Sequence, residues 1–94
     1  MSKKRFQSVW DAIEDTPGAA ENMKLRAALM RALGAHIEKS DWTQSEAAQR
    51  LGVTQPRISD LKRGKIELFA LDTLVNMAAA AGFKVDMHID AEAA

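Results

Sequence analysis

The chain has no cysteine and only two histidines among its 94 residues. Disulfides, thiol catalysis and a cysteine-ligated zinc are thereby excluded, and any metal site would need mostly carboxylate ligands. No uninterrupted apolar run approaches the ~18 residues a membrane span requires, so no membrane partner is expected. The opening Met1-Ser2-Lys3-Lys4-Arg5 is basic but lacks the apolar stretch of a secretory signal; the expectation is a cytoplasmic protein. Internal repeats, low-complexity tracts and linkers are also missing. Net charge is missing too: thirteen Lys and Arg balance thirteen Asp and Glu, which argues against indiscriminate coating of nucleic acid. What remains, 47% hydrophobic and 28% charged, is the composition of one globular domain. A chain this short makes a marginal core, and a partner subunit would help it.

The neutrality is an average. Residues 1–5 carry +3, residues 6–49 carry −3, residues 50–65 carry +4 and residues 66–94 carry −4. Arg50, Arg57, Lys62, Arg63 and Lys65 thus stand against Asp60 alone. A polyanion senses such a segment within about a Debye length, ~8–10 Å, so a focused contact remains open beside the plainer reading of a solvated face.

Periodicity divides the chain into helices. Phe6, Val9, Trp10 and Ile13 fall at i, i+3, i+4 and i+7 and predict a short helix. Thr16-Pro17 reads as an N-cap and a first-turn proline. From there to about Lys39, Leu25, Ala28, Leu29, Ala32, Leu33, His36 and Ile37 form an apolar stripe. Ser40-Asp41-Trp42 breaks it. Thr43 with Glu46 three residues on is a capping-box pattern, with Trp42 placed as a hydrophobic staple. Gly52-Val53-Thr54 ends that helix and starts another, in which Pro56 occupies the first turn and Gly64 supplies the stop. Lys65 to Ala70 reads as a loop or short extended piece, and Leu71 to Ala81 as a helix ended by Gly82. Met23 and Met30 read as core fillers and His36 as a buried or edge histidine.

The period then changes. Lys84 to Asp90 alternates polar and apolar, with Val85, Met87 and Ile89 on one face, and predicts a strand. A lone strand leaves its backbone groups unpaired. Pairing with the same strand of a second copy about a two-fold axis would answer that, making Val85, Met87 and Ile89 dimerisation residues. A metal site at His88, Asp86 and Asp90 would lack a closed ligand set, and no metal or cofactor is expected.

The two short helices around Gly52 have the spacing of a helix-turn-helix over residues 43–64. Ala47 and Ala48 allow the helices to cross, Val53 plugs the corner, and Ile58 and Leu61 anchor the second helix. Thr54, Gln55, Pro56, Arg57, Ser59 and Asp60 are left at or near its exposed start, where a recognition helix reads base edges. Arg57 suits guanine and Gln55 adenine. Gln44, opening the first helix, is placed for a phosphate, and Lys62, Arg63 and Lys65 supply backbone charge. Asp60 is there to accept from cytosine or to hold Arg57 or Arg63 by an ion pair.

Thr43 to Gly64 resembles the helix-turn-helix of the phage repressor/Cro (Xre) family. Gln55 to Lys65, followed by Phe69, Leu71, Asp72 and Leu74, is similar to a subgroup of small Xre proteins that includes HigA-type antitoxins. Val9 to Ile13 and the helix from Pro17 also fit that subgroup, so the resemblance covers about residues 8–89. It implies an all-α, five-helix repressor-like core; the chain's own pattern puts that core over 16–83, a short N-terminal helix and arm over 1–15, a dimer strand over 84–90 and a tail over 91–94. It further implies a homodimer on a palindromic double-stranded DNA operator, repression of its own promoter and, where a toxin exists, a RelE-like ribonuclease partner in a bacterial nucleoid setting. Pro56 departs from the commoner pattern, which has a polar side chain there, and shifts base reading to Gln55 and Arg57.

Other classes stay in view. A stand-alone regulator would carry the same domain without a toxin. A helical protein-binding module would fit the zero net charge. Trp10 could lie under a partner, and Lys3-Lys4-Arg5 could be a minor-groove arm or a solvated start. Catalysis has no support: no serine, histidine and carboxylate form a nucleophile arrangement, and no phosphate-binding glycine loop is present.

Overall fold

The computed structural model describes residues 16–91. The expected helix at Phe6–Ile13, the basic arm and residues 92–94 lie outside them.

Four α-helices follow in order: α1 Pro17–Ser40, α2 Gln44–Leu51, α3 Gln55–Lys62 and α4 Leu71–Ala80, with a single 3-10 turn at Ile66–Leu68. Three of the four starts are the expected threonine caps. Thr16 Oγ1 accepts from Ala19 N at 3.0 Å, Thr43 Oγ1 from Glu46 N at 3.1 Å and Thr54 Oγ1 from Arg57 N at 3.3 Å. The capping box at Thr43 forms in half, because the Glu46 carboxylate pairs with Arg50 at 3.3 Å instead of reaching back.

The stops share one device, a left-handed residue followed by a bond spanning six residues. After α2, Gly52 has φ 72° and Val53 N donates to Ala48 O at 3.0 Å. After α3, Gly64 has φ 72° and Lys65 N donates to Asp60 O at 3.1 Å. Glycine meets this conformation without Cβ strain. After α1 the same position is filled by Asp41, at φ 59°.

The core joins Met30, Leu33 and Ile37 of α1, Ala47, Ala48 and Leu51 of α2, Ile58 and Leu61 of α3, Phe69, and Leu74, Met77 and Ala78 of α4. The near-zero exposure of Ala47 explains how α2 and α3 cross closely: a larger side chain would hold them apart. Trp42 and Phe83 lean on this core with His36 between them, edge-on to both rings at 5.1 and 5.0 Å.

Three expectations are corrected. The described fold has four α-helices and a 3-10 turn where five core helices were expected. The buried face of α1 is Ala19, Arg26, Met30, Leu33 and Ile37, whereas Leu25, Ala28 and Ala32 are exposed. The expected stripe is centred too far round because it leaves out Arg26, which lies inside. Of the two readings of Lys65 to Ala70 the loop holds, with Ile66–Leu68 wound into a 3-10 turn tied by Leu68 N to Lys65 O. Residues 83–90 form no strand. A strand needs a ladder partner, and the described chain offers none.

Candidate nucleic-acid interface

The Gly52 turn sends the chain from α2 directly into α3 and fixes their crossing. Ile58 and Leu61 turn one face of α3 into the core. Thr54, Gln55, Pro56, Lys62 and Arg63 are exposed, while Arg57, Ser59 and Asp60 are half-buried. The expected residues therefore lie at or near the surface of α3, but they are not equivalent.

Arg57 is folded back on its own protein. Its Nη1 donates to Leu68 O at 3.2 Å, its guanidinium lies 5.5 Å from the Phe69 ring centre, and Asp60 Oδ2 is 3.8 Å away. The carbonyl and the ring do most of this holding, since a part-exposed ion pair at 3.8 Å contributes little. Of the two roles considered for Asp60, the geometry brings it to Arg57. The Nε and Nη2 edge of Arg57 has no partner among the described residues. That edge matches the two acceptors of guanine.

The helix starts differ as anion sites. At α3, Pro56 has no N–H, and Thr54 takes the amides of Arg57 and Ile58 through Oγ1 and its carbonyl. Only Gln55 N is left. At α2, Thr43 takes the amides of Glu46 and Ala47, leaving Gln44 N and Ser45 N without protein partners among the described residues. Open N–H groups at a helix start favour a phosphate, so Gln44 sits where a backbone contact is easiest.

The basic segment resolves into two kinds of charge. Arg50 is turned away to Glu46 and lies 5.0 Å over Trp42. Lys62, Arg63 and Lys65 are exposed and make no ion pair among the described residues. Lys62 shares a groove with Arg31, Met30, Gly34, Leu61 and Gly64, with Glu38 the acid on its wall. Three unpaired cations follow one another at the end of α3, where a DNA backbone would meet them.

Sequence reasoning missed Arg26. It is buried on α1, with Nε donating to Asn22 Oδ1 at 2.6 Å and Nη1 to Ile66 O and Phe69 O at 3.1 and 3.2 Å. A signal existed: residues 26, 30, 33 and 37 share a helical face, and one member is charged.

Val85, Met87 and Ile89 are exposed and are not among the residues packed on the core. His88 Nε2 lies 3.1 Å from Asp90 on the alternate face. Among the described residues no three metal-ligating side chains gather, and no helix is long and apolar enough to cross a membrane.

Over residues 12–90 the sequence matches the family described as a helix-turn-helix domain. A solved chain described as "Putative XRE Family Transcriptional Regulator" is similar at a TM-score of 0.71 and 33% identity, over 78% of this chain and 82% of that one. Comparison with curated proteins found no match.

Proposed function

The chain belongs to the Xre family of helix-turn-helix DNA-binding transcriptional regulators, and from that premise we propose that it is a repressor that binds a palindromic operator as a homodimer. The observation that carries this reading is the start of α3. It is exposed at Thr54, Gln55 and Pro56, has Arg57 and Ser59 beside it, and runs into the unpaired Lys62, Arg63 and Lys65. Gln55 and Arg57 read bases, Gln44 holds a phosphate and the three cations bind backbone. Asp60 acts through Arg57. Nothing in this arrangement asks for a cofactor.

The dimer is supported by the C-terminal alternation. An antiparallel pairing centred on Met87 sets Val85 against the partner's Ile89, Lys84 against the partner's Asp90 and Asp86 against the partner's His88. A shift of two residues either way brings Asp86 against the partner's Asp86 or the partner's Asp90. Like charges directly opposite are unfavourable, so one register is preferred. Two recognition helices then meet half-sites about 34–36 Å apart.

The antitoxin reading belongs here as well. Its support is the similarity of residues 55–74 to HigA-type proteins and the amphipathic Phe6 to Ile13 segment, which DNA reading does not use. A RelE-like ribonuclease is the expected partner, and repression of the shared promoter the expected control. Co-expression with the flanking genes and native mass spectrometry separates the cases. A stoichiometric complex with a small basic neighbour supports an antitoxin. A bare homodimer supports a stand-alone regulator, and a monomer removes the strand pairing.

DNA binding itself is tested by selecting duplexes from a random pool and titrating them against salt. Each phosphate contact adds about 0.9 to the slope of log affinity on log salt. A flat response, or no selected sequence, would leave only a protein-binding module.

A further inference from the structure

We propose that Arg26 is a positioning residue for sequence reading: through the Ile66–Phe69 turn it sets the guanidinium of Arg57. This inference rests on the DNA-binding reading above and deepens it.

The two arginines donate to the same short turn. Arg26 Nη1 donates to the carbonyls at its two ends, Ile66 O and Phe69 O. Arg57 Nη1 donates to the carbonyl between them, Leu68 O, and its guanidinium rests by the Phe69 ring. The turn has no side-chain cap and exposes Glu67 and Leu68; Phe69 is sunk in the core, Ile66 leans on it, and Leu68 N donates to Lys65 O. Arg26 itself is fixed from α1 by Asn22 Oδ1 at 2.6 Å and lies against Met23 S at 3.9 Å. The location of Leu68 O is therefore tied to α1, the longest helix, as well as to α3, which carries Arg57 and joins the turn through Gly64 and Lys65.

This matters because a long arginine side chain free in solution must be ordered when it meets a base. An Arg57 already held by its Nη1 edge offers the Nε and Nη2 edge in one place. A charged group buried on α1 is costly unless its donors are satisfied, and three of its acceptors, Asn22, Ile66 and Phe69, are supplied by two separate stretches of chain. A hydrophobic residue at 26 would fill the space without fixing the turn.

The test compares wild type with Arg26→Met, Arg26→Lys, Asn22→Ala, Arg57→Ala and the Arg26→Met/Arg57→Ala double variant. The first readout is the order of the Arg57 Nε–H group by NMR relaxation in the free chain. The second is the affinity ratio between a duplex selected by the wild-type chain and a scrambled duplex. Arg26→Met is expected to mobilise Arg57 Nε and to lower the ratio about tenfold, yet to change it less than about twofold when Arg57 is already alanine. Arg26→Lys is expected to recover part of both, because one ammonium can reach only part of the carbonyl pair. Should Arg26→Met not fold, Arg26→Lys and Asn22→Ala are read in the same way, with smaller shifts.

A purely structural arginine would lower thermal stability and leave both the Arg57 order and the ratio unchanged in the folded protein; that result overturns the proposal. So does a ratio that rises, which would mean the turn withholds Arg57 from DNA. If wild type selects no duplex, the DNA reading fails by itself, and the NMR comparison still decides whether Arg26 positions Arg57.

Discussion

Residues 43–64 carry a helical apolar period and residues 83–91 a strict apolar and polar alternation, with opposite outcomes. In the first stretch Ala47, Ile58 and Leu61 are at most 4% exposed. In the second, Val85, Met87 and Ile89 are 47%, 77% and 79% exposed. The difference lies in where each backbone finds its hydrogen bonds. A helix closes its ladder within the segment, so a helical period needs only a surface to lie on. An extended segment has its donors and acceptors pointing outward and needs another strand before its face can be buried at all. Period names a face; the partner decides whether the face is used.

Five substitutions probe that contrast, from the largest expected effect to the smallest. Ile58→Ala removes a fully buried side chain at the crossing of α2 and α3 and is expected to cost about 2–5 kcal/mol in denaturant unfolding. A loss below 1 kcal/mol would mean the helix pair repacks freely. Arg57→Ala is expected to weaken binding to a selected duplex by about 1–3 kcal/mol and to relax preference at one base pair. Equal weakening on scrambled DNA would instead make Arg57 a phosphate contact. Thr54→Ala deletes the cap on α3, and thermal melts should show a loss of about 1 kcal/mol. Asp41→Gly should move the other way. It relieves a left-handed aspartate and removes a negative charge from the end of α1, for a gain of about 0.5 kcal/mol. Ile89→Ser is expected to leave the unfolding of the dilute monomer within about 0.5 kcal/mol while sedimentation shows loss of the dimer. A large stability loss in the monomer would show that the C-terminal face is buried within its own chain.

The local signals were legible. Thr16, Thr43 and Thr54 cap as read, Gly52 and Gly64 stop their helices, and Ala47, Ala48, Ile58 and Leu61 sit inside. The caps and stops rest on interactions within three to six residues, which a single sequence displays, and the four buried positions follow from helical period. What failed to show was set at a distance. The bend of residues 66–68 into a 3-10 turn depends on carbonyls met by an arginine 40 and 43 positions earlier. The rotation of α1 depends on the same side chain, because burying Arg26 turns Leu25 to the surface. At the candidate site, the roster of exposed residues followed from helical period. The withdrawal of Arg57 onto Leu68 O and Phe69, and of Arg50 onto Trp42, did not, since both depend on neighbours brought by the fold.

The reach of Arg26 also sets an order on synthesis. At about 5–20 residues per second, Phe69 leaves the ribosome roughly 2–9 s after Arg26, because 43 residues separate them. Throughout that interval α1 carries a charged side chain on its apolar face with neither turn carbonyl yet made. A nascent chain stopped short of the turn cannot complete the seam between α1 and the recognition helix.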